Sequence, residues 1–316
     1  NGFDFPIVAS PMDTVCEWEM AAKIAIEGGL GNDTMTGGGG TDTVSYEHAP
    51  AGVTVNLSNT AAQNTIGAGV DTLTGFVNII GSSFADNITG TTGANVIYGG
   101  LGSDTMSGGD GNDTYTVDTV TDLIIESSTT AGGTDLVQSL SSNYTLQQYL
   151  ENLTFIGTSN FTGVGNTSNN SITGGAGNDD LYGLAGADTL NGGLGVDTMS
   201  GGDDNDTYIV DNVGDVIIES STATGGTDLV QALSLNYTLS AYIENLTFTG
   251  TGNFTGTGND INNLITGGAG NDTLYGGGGN DTLTGGAGND NLTGGAGSDT
   301  FSVTSGTDII MDLGSG

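Results

Sequence analysis

The most regular feature of the chain is a polar–apolar–polar triplet, such as Thr273-Leu274-Tyr275, that returns every nine residues behind a glycine turn. Alternation over three residues suits a very short strand with only its apolar residue facing inward. The six residues before each triplet follow Gly-Gly-x-Gly-x-Asp, so the full unit is Gly-Gly-x-Gly-x-Asp-x-U-x, with U a large apolar side chain. Ten copies begin at Gly28, Gly37, Gly99, Gly108, Gly174, Gly192, Gly267, Gly276, Gly285 and Gly294. Two more, at Gly183 and Gly201, each miss one fixed position. The copies stand head to tail in runs at 28–45, 99–116, 174–209 and 267–302, which predicts a stacked repeat architecture.

A second period lies above the first. Residues 106–181 and 199–274 align at an offset of 93: Tyr115 answers Tyr208, and Glu151-Asn-Leu-Thr-Phe answers Glu244-Asn-Leu-Thr-Phe. Between the runs, Leu123-Ile-Ile, Asp135-Leu-Val and Leu153-Thr-Phe-Ile are short apolar stretches bounded by Gly, Ser, Thr and Asn, and read as strands with turns between them. Residues 46–98 read as a third, more diverged spacer. Degenerate nonapeptides at Gly165–Thr173 and Gly258–Thr266 lead back into the strict runs. The solenoid is therefore expected to continue through the spacers on longer, metal-free turns. The organisation read from this is 1–31, an N-terminal segment of different character; 32–98, degenerate repeats and spacer; 99–173 and 174–266, each a run plus spacer; and 267–316, the last run and the start of a flanking region.

Composition changes the picture in one respect. Acidic residues number 37 against a single basic residue, Lys23, for a formal net charge of −36. A chain so charged does not bind nucleic acid or an anionic membrane by phosphate neutralisation, and its carboxylates oppose any compact state unless something neutralises them. Glycine supplies 59 of 316 residues, against about 7 % in an average protein. One cysteine, Cys16, excludes an internal disulfide framework. No stretch approaches membrane-spanning length, so membrane insertion is not expected. No N-terminal signal peptide is visible, and the chain reads as a piece of something longer.

The turn chemistry answers the charge. Three glycines allow positive φ and close backbone approach, so carbonyl oxygens in such a turn can converge on one spot. The aspartate adds a carboxylate there, giving hard oxygen ligands for a cation that takes six to eight of them, as Ca2+ does. With two nonapeptides per circuit, equivalent turns stack at the inter-strand spacing of about 4.8 Å. Unneutralised aspartates about 5 Å apart repel by roughly 3 kcal/mol per pair at an effective dielectric of 20. Metal binding and folding are then expected to be one event.

These residues resemble the haemolysin-type calcium-binding (RTX) repeat family over residues 28–316. The resemblance implies an all-β fold, a right-handed parallel β-roll, with Ca2+ ions held between its turns. By position it implies carboxylate ligands at Asp104, Asp113, Asp179, Asp188, Asp197, Asp206, Asp272, Asp281, Asp290 and Asp299, with weaker sites at Asp33 and Asp42 because their run is only two repeats long. Carbonyl donors would come from the first, third and fifth positions: Gly174, Ala176 and Asn178; Gly192; Gly267, Ala269 and Asn271; Gly276, Gly278 and Asn280; Gly285, Ala287 and Asn289. Gly183-Leu184 and Asp203-Asp204 depart from the pattern and put carbonyl placement there in doubt.

Residues 5–31, from Phe5-Pro-Ile-Val-Ala-Ser-Pro-Met to Ile26-Glu-Gly-Gly-Leu-Gly, differ in character and hold the only Lys, Cys and Trp. They are similar to a strand-and-helix segment of IMP dehydrogenase, a (β/α)8 barrel, in which Ser10 and Met12 would sit near the bound nucleotide. Such a barrel needs about 250 residues, so no dehydrogenase is expected here. Gly28-Gly29-Leu30-Gly31 fits both the enzyme segment and the first nonapeptide, as a recombination or sequence-assembly join would. Locally the segment reads as a short helix, with Thr14 and Glu17 as a capping box and Gly28-Gly29 as its stop, able to cover the open first coil. Cys16 is read as a packed or exposed free thiol.

Nothing in the sequence assembles a catalytic set. His48 is the single histidine, in the turn-like Glu47-His48-Ala49-Pro50, and no zinc or Ser-His-Asp constellation forms around it. The chain is therefore not expected to be an enzyme. It reads as a secreted bacterial Ca2+-binding roll, exported by type I secretion machinery through a region not present here. Two alternatives stand beside it: the structural repeat region of an adhesin or surface-layer protein, with cell-surface or self-association, and the C-terminal part of a secreted hydrolase or toxin. Tyr115, Tyr208 and Phe301 occupy U positions and are expected in the core.

Overall fold

A computed structural model describes residues 7–8, 25–126, 132–219 and 224–312. The described residues are all β, and nearly every strand pairs in parallel. The chain divides into two compact units, 1–156 and 157–316. Each is a coil of short strands in which successive strands alternate between facing sheets.

In the second unit the strict repeats set the geometry. Strand Ser171–Ala176 pairs with Thr189–Leu194, with Ile172 opposite Leu190, while Asp180–Ala185 pairs on the other face with Thr198–Asp203, with Leu181 opposite Met199. Partners are 18 residues apart, as in the Asp179–Asp197 and Asp188–Asp206 contacts, so two nonapeptides make one circuit. The U residues Leu181, Leu190, Met199, Leu274, Leu283 and Leu292 have no exposed surface, and form a core one side chain deep per strand. At about 25 cal/mol per Å2 of buried apolar surface, each contributes roughly 2 kcal/mol, too little for any one strand to stand without its neighbours.

The spacers keep the register but change the length of the circuit. Thr207–Val210 pairs with Leu229–Ala232, and Leu229–Ala232 with Asn245–Phe248. The edge contacts of these two steps span 22 residues (Asp206 to Asp228) and 16 residues (Asp228 to Glu244). In the first unit Thr114–Val117, Leu136–Ser139 and Asn152–Phe155 pair in the same way. Tyr115 and Tyr208 have rings fully buried at U positions, and Phe301 is half-buried. Among the described residues the one antiparallel pairing between strands is Gln63–Asn64 with Val70–Thr74, within the diverged spacer 46–98.

Most of the helix expected near the N-terminus lies outside the described residues. Its predicted last turn does not form: Ala25–Glu27 is a strand, paired in parallel with Thr43–Ser45. The physical reason is that Ile26 docks opposite Val44, one step along the sheet from the first strict repeats, and the coil extends back over it. Ile7–Val8 pairs with Ile26–Glu27 in turn.

Candidate calcium-binding turns

The six-residue turns use each of their fixed positions for a different purpose. The aspartate's Oδ1 bridges circuits: Asp179 accepts the Phe161 N–H at 2.8 Å, Asp188 that of Asn170 at 2.6 Å, Asp197 that of Asp179 at 2.8 Å and Asp290 that of Asp272 at 2.9 Å. The other oxygen is left over. In all twelve repeat aspartates, Asp33, Asp42, Asp104, Asp113, Asp179, Asp188, Asp197, Asp206, Asp272, Asp281, Asp290 and Asp299, Oδ2 is buried and accepts no hydrogen bond. A buried carboxylate oxygen without a donor costs several times the worth of a normal hydrogen bond, so twelve of them in one pattern fit oxygens meant for a cation.

The first glycine makes room for that oxygen rather than for an unusual φ. A Cβ on Gly174, Gly192 or Gly285 would lie 2.3, 2.2 and 2.2 Å from Oδ2 of Asp179, Asp197 and Asp290. Beside Gly174 the carbonyl oxygen of Gly192, one circuit on, comes within 2.8 Å of the same point, and Gly285 does so beside Gly267. Aspartate Oδ2 from one turn and a first-position carbonyl from the next thus converge at the edge. The second and fourth positions carry positive φ, as in Gly175 (99°) and Gly177 (125°). The two imperfect repeats keep this shape with ordinary residues, Leu184 at φ 88° and Asp204 at 74°.

The remaining expected donors sit in the same turns. Ala287 O already accepts the Gly270 N–H at 2.9 Å, leaving one lone pair for an ion. Asn178, Asn271, Asn280 and Asn289 use their side chains as an exposed ladder: Oδ1 of Asn271, for example, accepts the Asn289 N–H at 2.8 Å.

Degenerate turns differ in one respect that the sequence reading passed over. Asn95, Asn170 and Asn263 replace the aspartate, and their Oδ1 accepts the N–H of the second-position residue, Thr91, Asn166 and Asn259, at 2.7, 2.7 and 2.8 Å. A neutral amide closes the turn on itself. Positive φ at position two, held by glycine or by Leu184, with aspartate at position six therefore marks an open turn, and asparagine at position six bonded back to position two marks a closed one.

Without a cation, five of these carboxylates hold protons well above the usual range. Burial pushes Asp206 up to about 8, partly opposed by the Asp188 N–H and reinforced by the carboxylates of Asp188, Asp228 and Glu219. Burial likewise takes Asp104, Asp113 and Asp188 to about 7, and Asp197 to about 6. These five turns are thus places where positive charge is wanted.

Residues 25–46, 80–115, 162–217 and 257–310, just over half of the chain, match the RTX calcium-binding nonapeptide repeat (4 copies). The chain belongs to that family. Its β-solenoid is a structural, calcium-binding repeat fold rather than an enzyme fold. The match begins at residue 25, inside the segment likened to IMP dehydrogenase, and lends that likeness no support. No curated protein matches the chain.

The spacers of this RTX chain also carry carboxylates that the motif does not contain. Glu126 and Asp135 come within 4.8 Å of Asp113, and Glu219 and Asp228 within 4.8 Å of Asp206, measured between ligand oxygens. The sequence pattern predicts metal-free turns in the spacers. The only signal was that both acidic pairs recur at the 93-residue offset.

Proposed function

We propose that this chain is a calcium-triggered folding module that works outside the cell, as part of a larger bacterial protein exported by type I secretion. The observation that carries it is the row of buried, unsatisfied Oδ2 atoms, one per strict repeat. At low calcium these carboxylates oppose the coil and leave an acidic, unfolded, exportable chain. At the higher calcium outside, each ion supplies two positive charges and ties adjacent circuits together. The ligands we assign are the repeat aspartates, Asp104, Asp113, Asp179, Asp188, Asp197, Asp206, Asp272, Asp281, Asp290 and Asp299, with first-position carbonyls such as Gly192 and Gly285 from the next circuit. Third- and fifth-position carbonyls complete the shell, and Asp33 and Asp42 form weaker sites.

A second reading, the structural repeat region of an adhesin or surface-layer protein, draws support from the near-exact return of run and spacer after 93 residues. The two readings share the folding step and differ in what the coil is attached to. The test of the shared step is far-ultraviolet circular dichroism during a calcium titration, with magnesium as control. A coil-to-β transition that requires calcium and reverses with chelator is expected. A chain already folded in chelator would overturn the coupling of folding to calcium.

A further inference from the structure

Each of the two long repeats ends its glycine run on a turn that no glycine turn follows. Inside a run, the first glycine one circuit on brings its carbonyl to the preceding aspartate, as Gly192 does for Asp179. At the ends of the runs that position, 18 residues beyond Gly108 and Gly201, is occupied by Glu126 and Glu219. The next aspartate then arrives after 22 residues instead of 18: Asp135 Oδ1 accepts the Asp113 N–H at 2.7 Å, and Asp228 Oδ1 the Asp206 N–H at 2.8 Å.

The last U residue of each of these runs is a tyrosine, and its hydroxyl reaches the same place. Tyr115 donates to Glu126 Oε1 and accepts the Gly108 N–H at 2.6 Å, and Tyr208 donates to Glu219 Oε1 and accepts the Gly201 N–H at 2.7 Å. Asp113 and Asp206 are each only 1 % exposed, and their Oδ2 atoms have no hydrogen-bond partner. A Cβ placed on Gly108 would meet Asp113 Oδ2 at 1.9 Å and the Tyr115 hydroxyl at 2.5 Å, so the unsatisfied oxygen faces the tyrosine–glutamate pair. Gly201, Asp206 and Tyr208 repeat those distances.

We propose that these two constellations, Asp113–Glu126–Asp135 and Asp206–Glu219–Asp228, are cation sites of a second kind that terminate the runs. Spacer carboxylates there replace the carbonyls that a further glycine turn would supply, and they hold a hard divalent cation of the calcium class. The inference rests on the glycine-turn reading for Asp113 and Asp206 alone; its other ligands lie outside the nonapeptides. Three carboxylates in place of mostly neutral carbonyls raise the charge at the site, and affinity for Ca2+ rises with ligand charge. These sites should therefore fill first in a titration, pin the 22-residue circuit to the run, and prefer a trivalent lanthanide more strongly than the glycine turns do.

The test compares the full chain with Glu126→Gln/Glu219→Gln by calorimetric calcium titration, with circular dichroism in calcium to follow the fold. Loss of two ions from the tightest class, the others being retained, is expected. Terbium emission sensitised by tyrosine gives a second readout: Tyr115→Phe/Tyr208→Phe should dim the emission of the first ions bound while leaving their number unchanged. An unchanged number and affinity in the glutamine variant would overturn the proposal and make the tyrosine–glutamate pair a metal-free plug. If the glutamine variant does not fold, undiminished early emission from the phenylalanine variant would overturn it instead. A parent chain that binds no calcium at all would be the failure of the proposed function, which these variants do not share.

Discussion

Gly285→Ala separates the room needed by the aspartate from the backbone freedom usually credited to glycine. Gly285 does not have a positive φ, so alanine there meets no backbone strain of its own. Its Cβ would lie 2.2 Å from Asp290 Oδ2, 2.7 Å from Cγ and 2.8 Å from Cβ of the same residue. The three nearest atoms all belong to one side chain, so the carboxylate has to give way. Restoring a contact of about 3.0 Å takes a retreat of about 0.8 Å, since close-packed interiors do not hold shorter ones. A +2 ion and a −1 carboxylate at about 2.4 Å attract by about 14 kcal/mol at an effective dielectric of 20, and by about 10 kcal/mol at about 3.2 Å. The difference of roughly 3 kcal/mol corresponds to about a hundredfold weaker binding at that one site. Calorimetric calcium titration should resolve one ion moved to weak affinity. Gly39→Ala, where a Cβ meets nothing within 4 Å and φ is not positive, should leave the isotherm alone. An unchanged isotherm for Gly285→Ala would refute the assignment of Asp290 Oδ2 as a ligand.

Three further outcomes follow from the same geometry. In chelator, lowering the pH should partly replace calcium. The folded pKa values of about 6 to 8 at Asp197, Asp104, Asp113, Asp188 and Asp206 stand above an unfolded value of about 3.9, so the folded chain binds more protons and its stability falls as pH rises through that window. β-structure measured by circular dichroism in chelator should grow as pH drops from about 8 toward 5, and a flat profile would contradict it. Leu184→Gly should raise the thermal midpoint of the calcium form by relieving a left-handed leucine, with a net gain of about 0.5–1 kcal/mol; Leu184 is 49 % exposed, so little burial is lost. Leu283→Ala removes a side chain with no exposed surface from a core one residue deep and should destabilise the calcium form by about 2–5 kcal/mol in denaturant melts. A loss below about 1 kcal/mol would mean the coil re-closes around the gap.

Much of this protein is legible in one dimension because it is nearly one-dimensional. Each strict repeat touches chiefly the repeats 18 residues away, so the nine-residue period fixed strand, turn and core residue together: Leu274, Leu283 and Leu292 are buried where alternation placed them. The aspartate and glycine positions announced a hard-cation turn because only oxygen chemistry explains a carboxylate returning behind three glycines. Two things waited for the tertiary structure. The division of labour among the glycines, the first making room for Asp Oδ2 and the second and fourth taking positive φ, depends on how each turn folds over its own aspartate and on the backbone that stacks against it. The gathering of Glu126 and Asp135 around Asp113 depends on the circuit that follows Tyr115 taking 22 residues, and circuit length outside the strict period is set by how the spacer packs, which no local spacing records. Sequence periodicity specifies contacts between equivalent positions; where the equivalence breaks, only the folded coil decides which side chains meet.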